Sequence, residues 1–109
     1  MHSAISMVYY SKQADSDLDE ILEGLLSWKK HTLTREFCLD YVSDIIEVCD
    51  SLDAKTHHFN VVYEIHKCYG EKVHKYSRNN TTTWYIIYDL DFFNNVYINK
   101  IISNHLTTE

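Results

Sequence analysis

Apolar residues follow two rhythms along this chain, and the change between them falls near residue 57. Residues 5–12 alternate, with Met7 and Tyr9 set against Val8 and Tyr10, which predicts a first strand. The spacing then lengthens. Leu18, Ile21, Leu22, Leu25 and Leu26 recur at intervals of three, four and seven, the stripe of an amphipathic helix running to about residue 30. Asp15 or Ser16 is the expected N-cap, because Asp17, Asp19 and Glu20 follow where acidic side chains favour the helix dipole. Thr32 or Thr34 caps a second helix, whose stripe is Phe37, Cys38, Tyr41, Val42, Ile45, Cys49 and Leu52. The connection between the two helices is short, so they are expected to pack as a hairpin.

Beyond a polar crossover at 51–57 the period becomes two. A two-residue turn at Gly70-Glu71 would pair Tyr69 with Lys72 and Lys67 with His74. A second at Asn79-Asn80 would set Tyr76 against Thr83 and His74 against Tyr85. That register places Tyr63, Lys67, Tyr69, Lys72, His74, Tyr76, Arg78 and Tyr85 on one exposed working face. Val62, Cys68, Val73, Trp84, Ile86 and Tyr88 form the core face. A loop one residue longer would reverse every face downstream. A last strand follows at 96–102. The expected order is β-α-α-β-β-β: an α+β domain whose antiparallel sheet is covered on one face by a two-helix hairpin.

Composition adjusts this picture in three places. A length of 109 residues gives a single domain, 1–109, with one modest core. The net charge of -6 is unevenly spread: residues 1–56 hold five Lys/Arg against eleven Asp/Glu, and residues 57–109 five against five. This excludes a generally basic nucleic-acid binder but leaves a local basic strip between His66 and Arg78. Three cysteines without C-x-x-C spacing argue against a disulfide framework or zinc knuckle, and Cys38 and Cys49 read as buried small hydrophobes. Adjacent histidines in a strand point oppositely, so His57, His58 and His66 do not make a metal site, and no cofactor is expected. With no 18-residue apolar run and no signal-peptide pattern, a cytoplasmic protein without membrane contact is the default expectation.

The order of elements, together with V-Y-Y-S-K-Q-A-D-S-D-L-D-E-I-L at residues 8 to 22, resembles the RelE/ParE superfamily of bacterial toxins. The basic strand and turn from His74 to Tyr88, and the last strand ending near His105, are similar to that family's later pattern. The resemblance implies a toxin of a toxin-antitoxin pair, with a cognate antitoxin as partner. In the ribonuclease branch it implies cleavage of messenger RNA on the ribosome through the neighbouring 2'-hydroxyl, without a metal. Such cleavage needs a base, an acid and a cation. Carried over by position, His105 and His74 would move protons and Arg78 would supply charge. Lys67, Lys72, Lys75, Tyr76 and Tyr85 would hold RNA. Tyr85 stands where nuclease members usually carry arginine, and a phenol lacks that fork and charge. The alternatives are the ParE branch, which inhibits DNA gyrase without catalytic residues, and a non-toxic protein-interaction module of the same fold.

Overall fold

The computed structural model describes residues 6–27, 33–53 and 57–106. Its elements are β1 (Val8–Tyr10), α1 (Lys12–Leu26), α2 (Arg35–Asp50), β2 (Phe59–Asn60), β3 (Lys72–Ser77), β4 (Thr83–Leu90) and β5 (Val96–Ser103). Short 3-10 turns occupy Glu64–His66 and Asn104–Leu106. The five strands form one open sheet in the order β1-β5-β4-β3-β2. The domain is α+β as expected, but the sheet is mixed, because β1 runs parallel to β5 while the other pairs are antiparallel. A tight hairpin forces antiparallel pairing, whereas a long connection does not. β1 meets β5 only after both helices and three strands have intervened.

α1 starts earlier than its acidic cluster suggested. Ser11 is the N-cap, its Oγ accepting the Ala14 N–H at 3.0 Å, so neither Asp15 nor Ser16 has that role. Asp17 therefore falls beyond the first turn and points inward, 4% exposed. Its carboxylate accepts the Ile101 N–H at 2.9 Å, the Lys100 ammonium at 3.0 Å and the Gln13 amide at 2.9 Å. β1 pairs only with 96–98, so Asp17 satisfies the β5 edge beyond the point where that strand ends. Thr34 caps α2 through a 3.0 Å bond from the Phe37 N–H, as one of the two expected caps. α1 ends at Leu26 with Ser27 as its C-cap, short of the expected end near 30, and the alternative cap Thr32 and the 29–32 connection lie outside the described residues.

The main core lies between the helices and one face of the sheet. Leu18 from α1 and Tyr41, Val42, Ile45 and Cys49 from α2 close over Ile86, Tyr88, Val96, Ile98 and Ile101. Each such side chain contributes about 1.5–3 kcal/mol when fully buried. Trp84 donates its indole N–H to the Tyr41 hydroxyl at 2.9 Å, so the two aromatics join sheet and helix without an unpaired polar atom.

Both expected hairpin turns are corrected. Residues 61–69 are not a strand: β3 pairs instead with β2, through Phe59↔Val73 and Asn60↔Lys72. The intervening chain winds through N–H bonds from His66 to Tyr63 and from Tyr69 to His66, each 3.0 Å. Gly70 is needed for proximity rather than for a turn, since a Cβ there would sit 3.0 Å from the Tyr88 carbonyl oxygen. Val62 and Cys68, expected in the core, are exposed, Val62 at 77%. The second loop spans 78–82, with Ser77 opposite Thr83. Asn79 Oδ1 accepts the N–H groups of Thr81 and Thr82 at 3.0 and 2.9 Å, an Asx-type closure that takes in more chain than a two-residue turn. The register slips by one residue. Tyr76 therefore faces Trp84 and His74 faces Ile86, while Tyr85 faces Lys75.

Candidate functional site

The slipped register dissolves the expected working face. Directly paired residues share a side of the sheet, so Lys72, His74 and Tyr76 join Tyr88, Ile86 and Trp84 on the helix-covered side. Tyr76 packs against the main core. Tyr85 and Lys75 lie on the opposite, open side with Val73 and Ile87.

The three expected catalytic residues do not meet. Arg78 reaches α2, where Nε lies 2.9 Å from Asp44 Oδ2 and the guanidinium packs over Phe37 and Tyr41 at 5.2 and 4.8 Å. His105 is exposed, its Nε2 3.1 Å from Thr82 Oγ1, at the rim of a 510 Å³ groove that Tyr41, Trp84 and Leu25 also line. Arg78 and His105 thus share the hairpin end of the sheet. His74 stands four residues further along β3, beside the 57–60 segment, and burial followed by the nearby His58 holds its pKa below the ordinary imidazole value. No hydrogen bond or ion pair joins any two of the three among the described residues. Two of the expected RNA-binding lysines are also engaged elsewhere: Lys72 donates to Asn60 Oδ1 at 2.7 Å, and Lys67 lies 3.3 Å from Glu64 on the irregular segment.

What the open side does assemble is a pocket. Residues 61–69 fold across β3 and β4, covering Val73, Tyr85 and Ile87. Asn99, the extra residue at the bulge in β5, fastens this cover by donating to the Tyr69 carbonyl at 2.8 Å and to Asp89 at 3.0 Å. Under its leading end lies a cavity of about 240 Å³ lined by Phe59, Tyr63, His66, Val73, Lys75 and Tyr85. Its back wall is aromatic. The His66 ring sits 4.9 Å from Tyr85 and 5.3 Å from Tyr63, and Tyr63 meets Tyr85 edge to face at 5.7 Å. Burial, and then the hydrogen bond with Tyr63, raise the Tyr85 pKa, so this phenol is neutral at physiological pH. Burial lowers the His66 pKa, which keeps the imidazole neutral as well. His66 is only 1% exposed, and its Nε2 has no hydrogen-bond partner among the described residues. Lys75 stands exposed at the mouth, its ammonium 5.9 Å above the Tyr85 ring, with no carboxylate partner among the described residues.

A second feature is the loop between β4 and β5. Asp91 Oδ1 accepts the N–H groups of Phe93 and Asn95 at 2.8 and 3.0 Å, while Oδ2 accepts from the Asn95 amide and the Tyr97 hydroxyl, each at 2.9 Å. The bonds from Asn95 lead those that hold the Asp91 carboxyl below the usual carboxylate range. Asn94 adopts φ 65°, which asparagine tolerates better than most residues. This wound loop holds out Phe92 and Phe93, 92% and 66% exposed, edge to face at 5.4 Å. Tyr9 and Tyr97, stacked at 5.2 Å, are exposed on neighbouring strands.

Sequence reasoning missed His66, Phe59 and the Phe92-Phe93 pair. The first two were hidden by the assumed Gly70-Glu71 hairpin, which put His66 on the face opposite Tyr85. The dipeptide Phe92-Phe93 between Asp91 and Asn94 was itself the available signal: adjacent aromatics inside a turn-forming sequence have no strand face to enter. Among the described residues no three His, Cys, Asp or Glu side chains converge as a metal would require, and no helix is long and apolar enough to cross a membrane. No protein-family model, curated protein or solved structure matches this chain.

Proposed function

We propose that this chain is a RelE/ParE-like component of a toxin-antitoxin pair that acts by binding a protein target, as the gyrase-inhibiting branch does, with a cognate antitoxin as its second partner. The observation that carries this reading is the Phe92-Phe93 pair on a loop whose backbone is fixed by Asp91. Adjacent phenylalanines with most of their surface in solvent are unfavourable in water. Aromatic anchors displayed on a rigid support lose little entropy when a partner covers them. An acidic chain whose cations Arg78, Lys72, Lys67 and Lys100 are engaged with its own side chains is poorly suited to gripping a phosphate backbone.

The test is expression of the double variant Phe92→Ser, Phe93→Ser beside the parent chain, with growth as the readout and circular dichroism as the control for fold. Growth arrest by the parent and normal growth with a folded variant is the expected result. A folded variant that arrests growth as strongly as the parent overturns the reading.

The endoribonuclease reading stands second, favoured by the placing of Arg78 and His105 at the same end of the sheet. It predicts new messenger-RNA 5' ends in a translating bacterial extract, which vanish for Arg78→Ala, His105→Ala. The protein-binding reading predicts an unchanged transcript map and undiminished toxicity for that same variant.

A further inference from the structure

Beyond any protein target, we infer that the cavity on the open face is a binding site for a small planar aromatic anion. Its volume of about 240 Å³ decides the size class. A dry cavity of about 150 Å³ accepts benzene, and drug-sized ligands occupy upward of about 300 Å³. One ring system, single or fused, with a short substituent fits between those limits.

The walls decide the rest. Tyr63, Tyr85 and His66 present ring faces and edges to whatever enters, and both His66 and Tyr85 are neutral, so the back of the site favours an uncharged flat group. His66 Nε2 is sealed from solvent and has no hydrogen-bond partner among the described residues, so the imidazole contributes an aromatic wall rather than a polar contact. Charge enters at the other end, where Lys75, without a carboxylate partner among the described residues, places its ammonium over the Tyr85 ring, as a carboxylate or phosphate substituent requires. Phe59, largely exposed at the opening, is placed to cover the bound ring. The chemistry shared by an aromatic carboxylic acid and the base end of a mononucleotide, with its sugar and phosphate at the mouth beside Lys75, meets these demands.

The experiment is a titration of the ¹⁵N-labelled full chain, followed by amide shifts. Four probes are used: indole-3-acetate, its neutral counterpart indole, uridine monophosphate and uridine. Saturable shifts at Tyr63, Val73, Lys75 and Tyr85 are expected for at least one of the two anions, with its neutral counterpart about tenfold weaker. Which anion saturates identifies the source of the ring. Lys75→Ala, an exposed substitution, is expected to abolish the difference between charged and neutral probes. His66→Leu is expected to weaken the anion about fivefold while the fold persists. No saturable shift from either anion up to about 10 mM, where a site of even millimolar affinity fills, overturns the inference. So do shifts centred elsewhere, or equal binding of neutral and charged probes.

Discussion

The two faces of the sheet are built by different means. On one, α1 and α2 lay regular apolar stripes over Ile86, Tyr88, Val96, Ile98 and Ile101, and the result is a continuous core. On the other, a smaller group of Val73, Tyr85 and Ile87 is covered by irregular chain at 61–69 that encloses a pocket and buries a histidine nitrogen with no partner among the described residues. Helices satisfy their own backbone and pack by repeating ridges, whereas an irregular cover places each side chain individually. The difference is between a face that holds the fold together and a face free to hold something else.

The contrast breaks most sharply under paired truncations. Ile86→Ala is expected to cost about 4 kcal/mol and Ile87→Ala about 2 kcal/mol, since the partly buried edges of the smaller cluster can collapse into the space left behind. Urea denaturation measures both, and equal losses would show the irregular cover to be as unyielding as the helices. Asp17→Ala is next, at about 3 kcal/mol, because it leaves the Ile101 N–H and the Lys100 ammonium without their partner. Asp17→Asn, which retains an acceptor oxygen, is expected to cost less, and thermal melts of the two variants separate charge from hydrogen bonding.

A pH series sharpens the contrast further. The folded pKa values of His66 and His74 both lie below the ordinary 6.5. In that window the unfolded chain binds more protons than the folded one, so stability rises with pH. The stabilisation is fully present above about 6.5 and is lost as the pH falls through the lowered folded values. His66→Leu is expected to flatten the open-face share of this slope and His74→Leu the helix-side share, read from urea midpoints between pH 5 and 7.5. Phe92→Ser, Phe93→Ser is expected to change stability by less than about 0.5 kcal/mol, because side chains already in water have little burial to lose.

The helix-covered face was the legible one. Leu18, Tyr41, Val42, Ile45 and Cys49 lie where a 3.6-residue period puts them, and Trp84, Ile86 and Tyr88 lie on the core side that alternation assigned. The two errors at the turns have one origin: sequence patterns report periodicity well and loop length poorly. Asn79 drawing in Thr81 and Thr82 moved Lys72, His74 and Tyr76 from the supposed surface to the covered side, and left Tyr85 apart from them. Lys75 and Tyr85, two of the expected RNA-binding residues, do share a site, but beside Tyr63 and His66 rather than beside the basic hairpin. Asp17 illustrates the same limit, since a carboxylate near a helix start reads as a dipole partner until tertiary contacts give it the β5 edge.

The parallel pairing of β1 with β5 also sets a timetable. Val8 to Tyr10 find their sheet neighbours in Val96 to Ile98, across nearly the whole length of the chain. During synthesis the first strand must therefore wait, and the contacts that seat α1 on β5 wait with it. A nascent chain emerges at about 5–20 residues per second, so that interval lasts seconds, far longer than a helix or hairpin takes to form. Until β5 leaves the ribosome, the main core cannot close, and the sheet is completed only once that strand has emerged.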